Sequence, residues 1–366
     1  MQKKVMINAY TKLNLGDDLF IKILCERYPQ TRFYLYAPKE YKRLFKKVRN
    51  LTIFPNNIFI VRAINYLLRT LKINDMFFRS FLGDKCDAAV YIGGSLFMQN
   101  KNWKSQVRNL KQIKLKRKPF YLLGANFGPY TDDEFYEIHN NIFREYTDIC
   151  FRDSYSYKLF QKLPNVRMAD DIIFQLNYKI PRRDAKIKRI AISVIKPSLR
   201  PHLSQLDNIY YEKLKDIIIY FCEKGYHIDL MSFCEGEGDG QAIAEIKKIL
   251  PEKYLNMVRD HYYKYNIEES INTIANSDFV IATRFHSMVL GWLFNKPVFP
   301  IVYSKKMTNV MNDVGFKGSY TELNSFEHVK AEEIYNSIET NIIDVSKQVE
   351  NSVNHFKELD KLLLDK

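Results

Sequence analysis

The fold is decided by the stretch DFVIATRFHSMVLGWLFNKPVFPIV, residues Asp278–Val302. Its short apolar runs Phe279–Ala282 and Pro297–Val302 predict two strands, and the longer apolar stretch His286–Phe294 predicts a helix between them. A strand, a helix and a second strand in this order indicate a βαβ unit. The sheet to which this unit belongs should therefore be parallel.

The same alternation extends in both directions along the chain. In the N-terminal half it predicts strands at Lys4–Tyr10, Thr31–Ala37, Ala88–Ile92, Phe120–Ala125, Ile149–Arg152 and Val166–Ala169, and helices at Asp18–Tyr28 and Lys39–Arg49. In the C-terminal half it predicts strands at Ile190–Ile195, Tyr226–Phe233 and Asn256–Val258, and helices at Asn208–Lys224, Gln241–Leu250 and Ile267–Ala275. The chain is thus an α/β protein with parallel sheets.

The length and one polar segment predict two Rossmann-like domains. The 366 residues suffice for two domains. The segment YKIPRRDAKIKR (Tyr178–Arg189) has no apolar periodicity and contains a proline, which indicates a linker. The predicted division is a domain at 1–178, a linker at 179–189, a domain at 190–330 and a helical segment at 331–366. Because ligands of such sheets bind at the carboxyl ends of the strands, we expect the active site in the cleft between the domains.

The charge of the chain favours an anionic partner. Its 56 Lys and Arg residues exceed its 42 Asp and Glu residues, which gives a net charge of +14. Basic residues concentrate in Lys39–Arg49 and Lys101–Lys118. These stretches fit two interpretations equally well: solvated helix faces, or a surface that contacts a membrane or a polyanionic acceptor. Nucleic acid is disfavoured, because the sequence has no zinc-finger spacing and no aromatic-basic signature of single-strand binding.

Several classes of protein are excluded by what the sequence lacks. No apolar run approaches the ~18 residues that span a bilayer, and the apolar run after Met1 is too short for a signal peptide. The five cysteines form no CxxC pair, so we expect neither a disulfide framework nor a metal site. We therefore expect a cytoplasmic protein. The glycine-rich run Glu235–Gly240 is interpreted as a flexible turn, because its carboxylates would repel a phosphate.

Three loops at predicted strand ends carry candidate ligand-binding residues. In Asn14–Asp18 (NLGDD), a glycine permits close backbone approach; Asp18 suits the first turn of the helix, whereas Asp17 is placed to act as a base. The Gly93–Gly94 pair of IGGS would direct backbone amides at a ligand. In Phe151–Ser154 (FRDS), Arg152 either pairs with Asp153 or points into the cleft, and Ser154 is placed to cap the next helix.

The fourth loop, ATRFHS (Ala282–Ser287), is the most specific. Core sequence flanks it on both sides, so the Arg and the His at the junction need partners. Arg284 presents a planar fork that matches a carboxylate or a phosphate. His286 at a helix N-terminus suits acid–base chemistry, with a structural histidine as the alternative. Tyr303, Lys305 and Lys306 follow the next strand and should line the same rim.

These loops together resemble the polysaccharide pyruvyl transferase family. The resemblance is carried, in the family's order, by Asn14–Asp18, Ile92–Ser95, Leu123–Pro129 (LGANFGP), Phe151–Ser154, Ala169–Asp171 (ADD) and Asp278–Lys306. It implies a GT-B-like fold with an acceptor-side N-terminal domain and a donor-side C-terminal domain. It also implies transfer of a pyruvyl group from phosphoenolpyruvate to a sugar of a bacterial capsule, exopolysaccharide or cell-wall polymer, as a ketal and with release of phosphate. No cofactor or metal is implied, and the acceptor is a saccharide that a lipid could carry at the inner face of the membrane.

The resemblance also implies roles for individual residues. Arg284 and Arg152 would bind the anionic groups of the donor, His286 would be the general acid, and Asp17 would be the base, with Asp18 or Asp153 as alternatives. The substrate-binding residues would be Asn14, Gly16, Asp18, Gly93, Gly94, Ser95, Asn126, Asp153, Ser154, Ser287, Tyr303 and Lys305.

Two other functions compete with this one. A nucleotide-sugar glycosyltransferase of the same fold would use an acidic residue such as Glu268 or Glu269 to hold the ribose. A non-catalytic protein that binds anions or glycans is the other alternative, which the joint presence of Arg152, Arg284 and His286 disfavours.

Overall fold

The structure, a computed structural model, describes residues 2–70, 83–113, 118–180 and 187–364. The chain divides into two compact units. The first comprises Met1–Thr11, Asp17–Gln175 and Asn351–Lys366, and the second comprises Lys12–Gly16 and Leu176–Glu350. The predicted helical segment 331–366 is thus shared between the units, and residues 181–186 of the predicted linker lie outside the described residues.

The first unit is built on a parallel sheet. Its strands among the described residues are β1 (Lys4–Ala9), β2 (Arg32–Ala37), β3 (Leu51–Pro55), β4 (Ala88–Ile92), β5 (Phe120–Ala125), β6 (Asp148–Phe151) and β7 (Val166–Met168). They lie in the order β3-β2-β1-β4-β5-β6-β7, and every neighbouring pair is parallel. The order reverses between β1 and β4. In a doubly wound sheet this switch point is where ligands bind. Asp17 lies at the start of the helix that follows β1, and Gly93–Gly94 lie in the loop after β4.

Helices cover both faces of this sheet. Those described are α1 (Leu15–Arg27), α2 (Tyr41–Leu44), α3 (Phe59–Thr70), α4 (Trp103–Ile113), α5 (Asp133–Phe143) and α6 (Ser154–Phe160). The core on one face is strongly aromatic. Phe127 packs against Phe135, Phe143 and Phe160 with ring centroids 4.8–6.2 Å apart, and the buried His139 lies among them. Such buried rings contribute much of the apolar area that stabilises the unit.

The second unit repeats the plan with six described strands. They are β8 (Arg189–Ser193), β9 (His227–Met231), β10 (Val258–His261), β11 (Phe279–Ala282), β12 (Val298–Val302) and β13 (Thr321–Glu322). Their order is β10-β9-β8-β11-β12-β13, again with parallel neighbours. Here the order reverses between β8 and β11, so the loops after these strands flank the switch point of this sheet.

The helices of the second unit run between these strands. They are α7 (Asp207–Glu223), α8 (Asp239–Ile249), α9 (Ile267–Ala275), α10 (Phe285–Leu293), α11 (Lys305–Asp313), α12 (Ala331–Asn336) and α13 (Ser346–Ser352), the last of which ends beyond the unit boundary. A final helix, α14 (Lys357–Leu363), belongs to the first unit. Strands β11 and β12 are buried along their whole length, as the apolar runs of the opening stretch predict.

The predicted fold class is confirmed, and some elements differ from their predictions. The helix predicted at Lys39–Arg49 is only the four-residue α2, and β3 and α3 were not predicted. The predicted continuous helix after Ala331 is interrupted around Asn341. This buried side chain donates to the backbone oxygens of Val298 (2.8 Å) and Ser319 (2.7 Å), which anchors the segment between α12 and α13.

Candidate active site

The junction between β11 and α10 is held by hydrogen bonds from β8 and α7. The backbone N–H groups of Thr283 and Arg284 both donate to Oγ of Ser193, each at 3.1 Å. The Thr283 hydroxyl lies 2.8 Å from the hydroxyl of the buried Tyr210. Arg284 itself has extended backbone angles and precedes α10 as its N-cap residue. The junction is therefore fixed before any side chain contacts a ligand.

The side chain of Arg284 lies between two carboxylates. Its Nη1 donates to Oε2 of Glu237 and its Nη2 donates to Oδ1 of Asp239, and the residue is 6% exposed. Burial lowers the pKa of Arg284, but Asp239 and Glu237 outweigh burial and raise it well above its ordinary value. Arg284 is therefore permanently charged. The predicted turn Glu235–Gly240 contains a 3₁₀ turn (Glu235–Glu237) and the start of α8, and the sequence did not predict that two of its acids pair with this arginine.

A second arginine and a tyrosine adjoin this group. Nη2 of Arg200, in the loop after β8, donates to the same Glu237 oxygen at 3.0 Å. Its guanidinium lies over the ring of Tyr303 at 4.7 Å, and Nζ of Lys306 lies 5.9 Å from the centre of that ring. Burial raises the pKa of Tyr303, but Lys306, Arg200 and Arg284 outweigh burial and lower it. Lys305, by contrast, is exposed at the start of α11.

His286 contacts the segment that leads from β1 into the first turn of α1. The imidazole lies so close to Gly16 that a Cβ at that position would overlap it. This segment is held in the second unit by the Leu15 N–H, which donates to the Phe233 oxygen at 3.0 Å, and by a bridge between Asn14 and Cys234. The Asn14–Gly16 and Arg284–His286 motifs, which are 270 residues apart in sequence, thus meet in one unit. Ser287 is buried in the first turn of α10.

Three predicted site residues of the first unit, Gly94, Ser95 and Asn126, lie around Arg152. Its side chain is 1% exposed; Nη1 donates to Asp171 at 2.9 Å, and Nη2 donates to Asn126 at 2.6 Å. Both nitrogens would lie 2.7 Å from a Cβ at Gly94. Asp171, which lies in the loop after β7, is therefore a carboxylate partner of the buried Arg152 that the sequence did not predict. Ser95 lies at the edge of this group, with Oγ 3.5 Å from Oδ1 of Asn126.

The acidic candidates of the first unit have different environments. Asp17 and Asp18 lie in the first turn of α1, as predicted for Asp18. Oδ1 of Asp17 accepts the N–H of Gly94 at 3.3 Å, so this carboxylate reaches the loop after β4. Asp153 is the N-cap residue of α6 and accepts both the N–H and the hydroxyl of Ser156, at 2.8–3.0 Å. The cap was predicted at Ser154, which is instead the first residue of the helix.

Four residues of these two groups were missed from the sequence: Arg200, Glu237, Asp239 and Asp171. A signal for them exists. A buried arginine requires a countercharge, and the loops at the same edge of its sheet are the places to look for one: β7 is the neighbour of β6, and β9 lies two strands away from β11. Arg200 follows β8, Glu237 and Asp239 follow β9, and Asp171 follows β7.

Neither a metal-binding cluster nor a membrane-spanning helix is present among the described residues. Among them, no group of three His, Cys, Asp or Glu side chains is arranged to hold a metal ion. None of their helices is both long and apolar enough to cross a bilayer.

Comparison with known structures defines the class of protein. A putative UDP-N-acetylglucosamine 2-epimerase from Listeria monocytogenes is similar over all of this chain and 98% of its own, with a TM-score of 0.61 and 9% identity. Anabaena Alr3699/HepE in complex with UDP-glucose is similar over all of this chain and 96% of its own, with a TM-score of 0.58 and 14% identity. At these identities the likeness concerns the fold alone, which is GT-B-like.

Comparison of sequences defines the family. The profile of the polysaccharide pyruvyl transferases matches residues 14–305, from the NLGDD loop to the start of α11. The amylovoran biosynthesis protein AmsJ of Erwinia amylovora is 24% identical over 289 residues, which are 73% of this chain and 69% of that protein. This chain belongs to the polysaccharide pyruvyl transferase family.

Proposed function

We propose that the protein transfers the pyruvyl group of phosphoenolpyruvate to a saccharide acceptor of a bacterial surface polysaccharide. One sugar hydroxyl adds to the enol carbon of the donor while the methylene carbon gains a proton and becomes a methyl group. A second hydroxyl of the same sugar then displaces phosphate and closes the ketal. Two C–O bonds to the sugar form, and the bond between the former enol carbon and the phosphate oxygen breaks. One hydroxyl proton ends on the methyl group and the other on the phosphate.

The observation that carries the proposal is the meeting of two family motifs in the second unit. His286 lies against Gly16, and Arg284 is fixed beside it at the start of α10. A charged guanidinium suits the carboxylate or phosphate of the donor, and a neighbouring imidazole suits proton transfer to the methylene carbon. Membership of the family and the similarity to a polysaccharide biosynthesis protein support the same reaction.

The roles within the first unit are proposed from its geometry. Asp17 contacts the Gly94 N–H and is 8% exposed, which suits a base for the acceptor hydroxyl. The buried Arg152 contacts Asn126 and lies against Gly94, so we assign it the positioning of this loop rather than direct contact with the donor. Asp153 is committed to its helix cap, which disfavours it as the base.

The first experiment measures donor binding, because it requires no knowledge of the acceptor. The protein is titrated by calorimetry with phosphoenolpyruvate and, in parallel, with UDP-, GDP- and CMP-sugars. Binding of phosphoenolpyruvate alone supports the proposal. Binding of a nucleotide sugar instead would support the glycosyltransferase alternative, for which Glu268 and Glu269 in the first turn of α9 remain candidates.

A second experiment tests the general acid. His286→Gln should lower phosphate release with an accepted sugar at least ~10²-fold while donor binding changes little. His328→Gln is the matched control, since its side chain is 77% exposed in the same unit. Equal turnover of the wild type and His286→Gln would remove His286 from the mechanism.

We propose that α3 brings the enzyme to an anionic membrane surface that carries a lipid-linked acceptor. Phe59 is 85% exposed and Tyr66 is 69% exposed, and their spacing of seven residues places them on one helix face with the exposed Arg62. An apolar face with a basic residue fits anionic headgroups. In α4 the apolar residues Trp103 and Val107 are buried, so the basic residues on the opposite side fit the face of a solvated helix.

Sedimentation with phospholipid vesicles tests this surface. Binding to vesicles that contain phosphatidylglycerol should exceed binding to phosphatidylcholine vesicles, and Phe59→Ser with Tyr66→Ser should reduce it several-fold. The control Lys104→Ser with Arg108→Ser changes the α4 face and should have a smaller effect. If the control abolishes binding and the α3 pair does not, the α3 assignment is wrong.

A further inference from the structure

The two carboxylates that hold Arg284 differ in how firmly the protein holds them. Asp239 is fully buried, and its Oδ2 accepts the backbone N–H groups of Phe233 (2.8 Å) and Cys234 (2.9 Å). Its position is therefore set by the backbone as well as by Arg284. It serves as a countercharge that is fixed in place.

Glu237 is held almost entirely by cations. It lies on a 3₁₀ turn between Gly236 and Gly238, and its side chain is 32% exposed. Its Oε2 accepts from Arg284 and from Arg200, whose Nη2 is 3.0 Å away. Burial raises the pKa of Glu237, but Arg284, Arg200 and Lys306 together lower it to about 2, so the side chain is ionised at neutral pH.

The position of this carboxylate is the one that an anionic ligand requires. Two guanidinium groups from the loops after β8 and β11 meet on one oxygen, at the switch point of the sheet where ligands of such folds bind. A carboxylate or phosphate group takes up the same geometry with arginines. Glu237 therefore presents to Arg200 and Arg284 the chemical group that a bound anion would present.

The local charge also favours a ligand anion. Arg200, Arg284 and Lys306 supply three positive charges around this point, and Glu237 and Asp239 supply two negative charges. With Glu237 turned away, the four remaining groups would carry two more positive than negative charges. A small multivalent anion would satisfy them better than one carboxylate does.

We propose that Glu237 is a displaceable internal anion, whose place on Arg200 and Arg284 is taken by an anionic group of the donor. Glu237 then turns toward solvent on its short turn, while Asp239 stays in contact with Arg284. Arg200 becomes a donor-binding residue. The inference rests on the proposed function for the identity of the donor, phosphoenolpyruvate, but not for the exchange of one anion for another.

This exchange has a measurable consequence, because Glu237 competes with the ligand. Removing its charge should strengthen anion binding, whereas a residue that orients Arg284 for the ligand would weaken binding when removed. The two roles for Glu237 thus predict opposite signs. Arg200 has no such ambiguity, since removing it should weaken binding under this proposal.

The experiment measures the Kd of phosphoenolpyruvate by calorimetry at constant ionic strength for the wild type, Glu237→Gln and Arg200→Ala. The Kd should fall at least 5-fold in Glu237→Gln and rise at least 10-fold in Arg200→Ala. Glu237→Ala serves as a second variant, because a glutamine oxygen can still accept from both arginines. Urea unfolding of each variant verifies that it is folded. An unchanged or higher Kd in both Glu237 variants overturns the proposal.

Inorganic phosphate separates this inference from the proposed function. If phosphoenolpyruvate does not bind to the wild type, the proposed function fails, and the same variants are then titrated with phosphate by thermal shift. A larger phosphate-induced shift in Glu237→Gln than in the wild type supports displacement. Equal shifts would overturn it.

Discussion

Two buried arginines, one in each unit, occupy similar places in the chain and differ in their partners. Arg152 directly follows β6 and Arg284 follows β11 by two residues. The side chain of Arg152 and that of its carboxylate partner, Asp171, are 1% and 0% exposed. Arg284 has the fully buried Asp239 but also Glu237, whose side chain is 32% exposed.

The difference shows that a strand-end arginine is not by itself a ligand-binding residue. Both arginines lie in family motifs and both suit an anion by chemistry. Arg152 is enclosed by an amide, a carboxylate and the Gly94 backbone, so it stabilises the loop. Arg284 has one partner that can leave, so it is able to exchange that partner for a ligand.

The largest expected effect comes from removing the enclosed countercharge. Asp171→Ala removes the fully buried carboxylate that lies 2.9 Å from Arg152, and breaking a buried ion pair in this way costs about 3–5 kcal/mol of unfolding free energy. Glu237→Ala should cost far less, because Arg284 retains Asp239. Urea unfolding of both variants measures the contrast. Equal losses would show that the two arginines are held alike.

The response to acid should be strongest in the first unit, although burial also lowers the pKa of His261 in the second unit. Burial lowers the pKa of His139 to about 4 despite a hydrogen bond with the Phe135 oxygen, and burial lowers the pKa of His355 to about 3. Below pH 6.5 the unfolded chain binds protons at these histidines and the folded first unit does not. The free energy of unfolding therefore decreases as the pH is lowered, and it levels off only below the pKa values of the folded state. For His139 the loss is about 3 kcal/mol.

In the second unit the Glu237 carboxylate remains ionised down to a pH of about 2. Its contribution to stability is complete above the ordinary pKa of glutamate and is lost as the pH falls toward 2. Urea midpoints between pH 7 and pH 4 test this order. His139→Leu should flatten the profile and the exposed control His328→Leu should not; parallel profiles for the wild type and His139→Leu would contradict the assignment.

Smaller effects are expected from filling the space that each site leaves at a glycine. A methyl group at Gly94 would lie 2.7 Å from the enclosed guanidinium of Arg152, and overpacking of this kind costs about 1–3 kcal/mol. A methyl group at Gly16 would displace His286 and should lower turnover more than stability. The control is Gly236→Ala, where no atom lies within 4 Å. Equal stability of Gly94→Ala and Gly236→Ala would show that Arg152 is not enclosed.

The smallest expected effect distinguishes a cap from a base. Asp153→Asn retains an N-cap residue and should keep stability and turnover nearly unchanged, whereas Asp153→Ala should cost about 1 kcal/mol. Asp17→Asn should lower turnover with little change in stability. Loss of turnover in Asp153→Asn would restore Asp153 as a candidate base.

Much of the fold follows from local sequence. Strands β4, β5 and β11 and helix α9 were predicted with their exact ends, because each is an apolar or amphipathic run bounded by polar or turn-forming residues. Strand β3 was missed because it has a single buried residue. The glycines and charged residues at the strand ends could also be recognised, because they directly follow apolar strands, where ligands of parallel sheets bind.

The partners within the sites could not be found in this way. Which carboxylate faces Arg284 depends on the order of the strands, and that order places the loop after β9 within reach of the loop after β11. Local sequence patterns do not contain the order of the strands. The same holds for the contact between Arg152 and Asp171, which the order of β6 and β7 in the sheet brings together.

Residues Asn351–Lys366 belong to the first unit although they follow the second unit in the chain, and this sets an order of events during synthesis. Asp360 accepts from Arg27 and Tyr28, and the backbone oxygen of His355 accepts from Arg167 at 2.7 Å. These partners are translated more than 180 residues after the groups they satisfy. On the ribosome the first unit must therefore wait, with these contacts unmade, until the whole second unit has been synthesised, and the earlier domain is the later one to be completed.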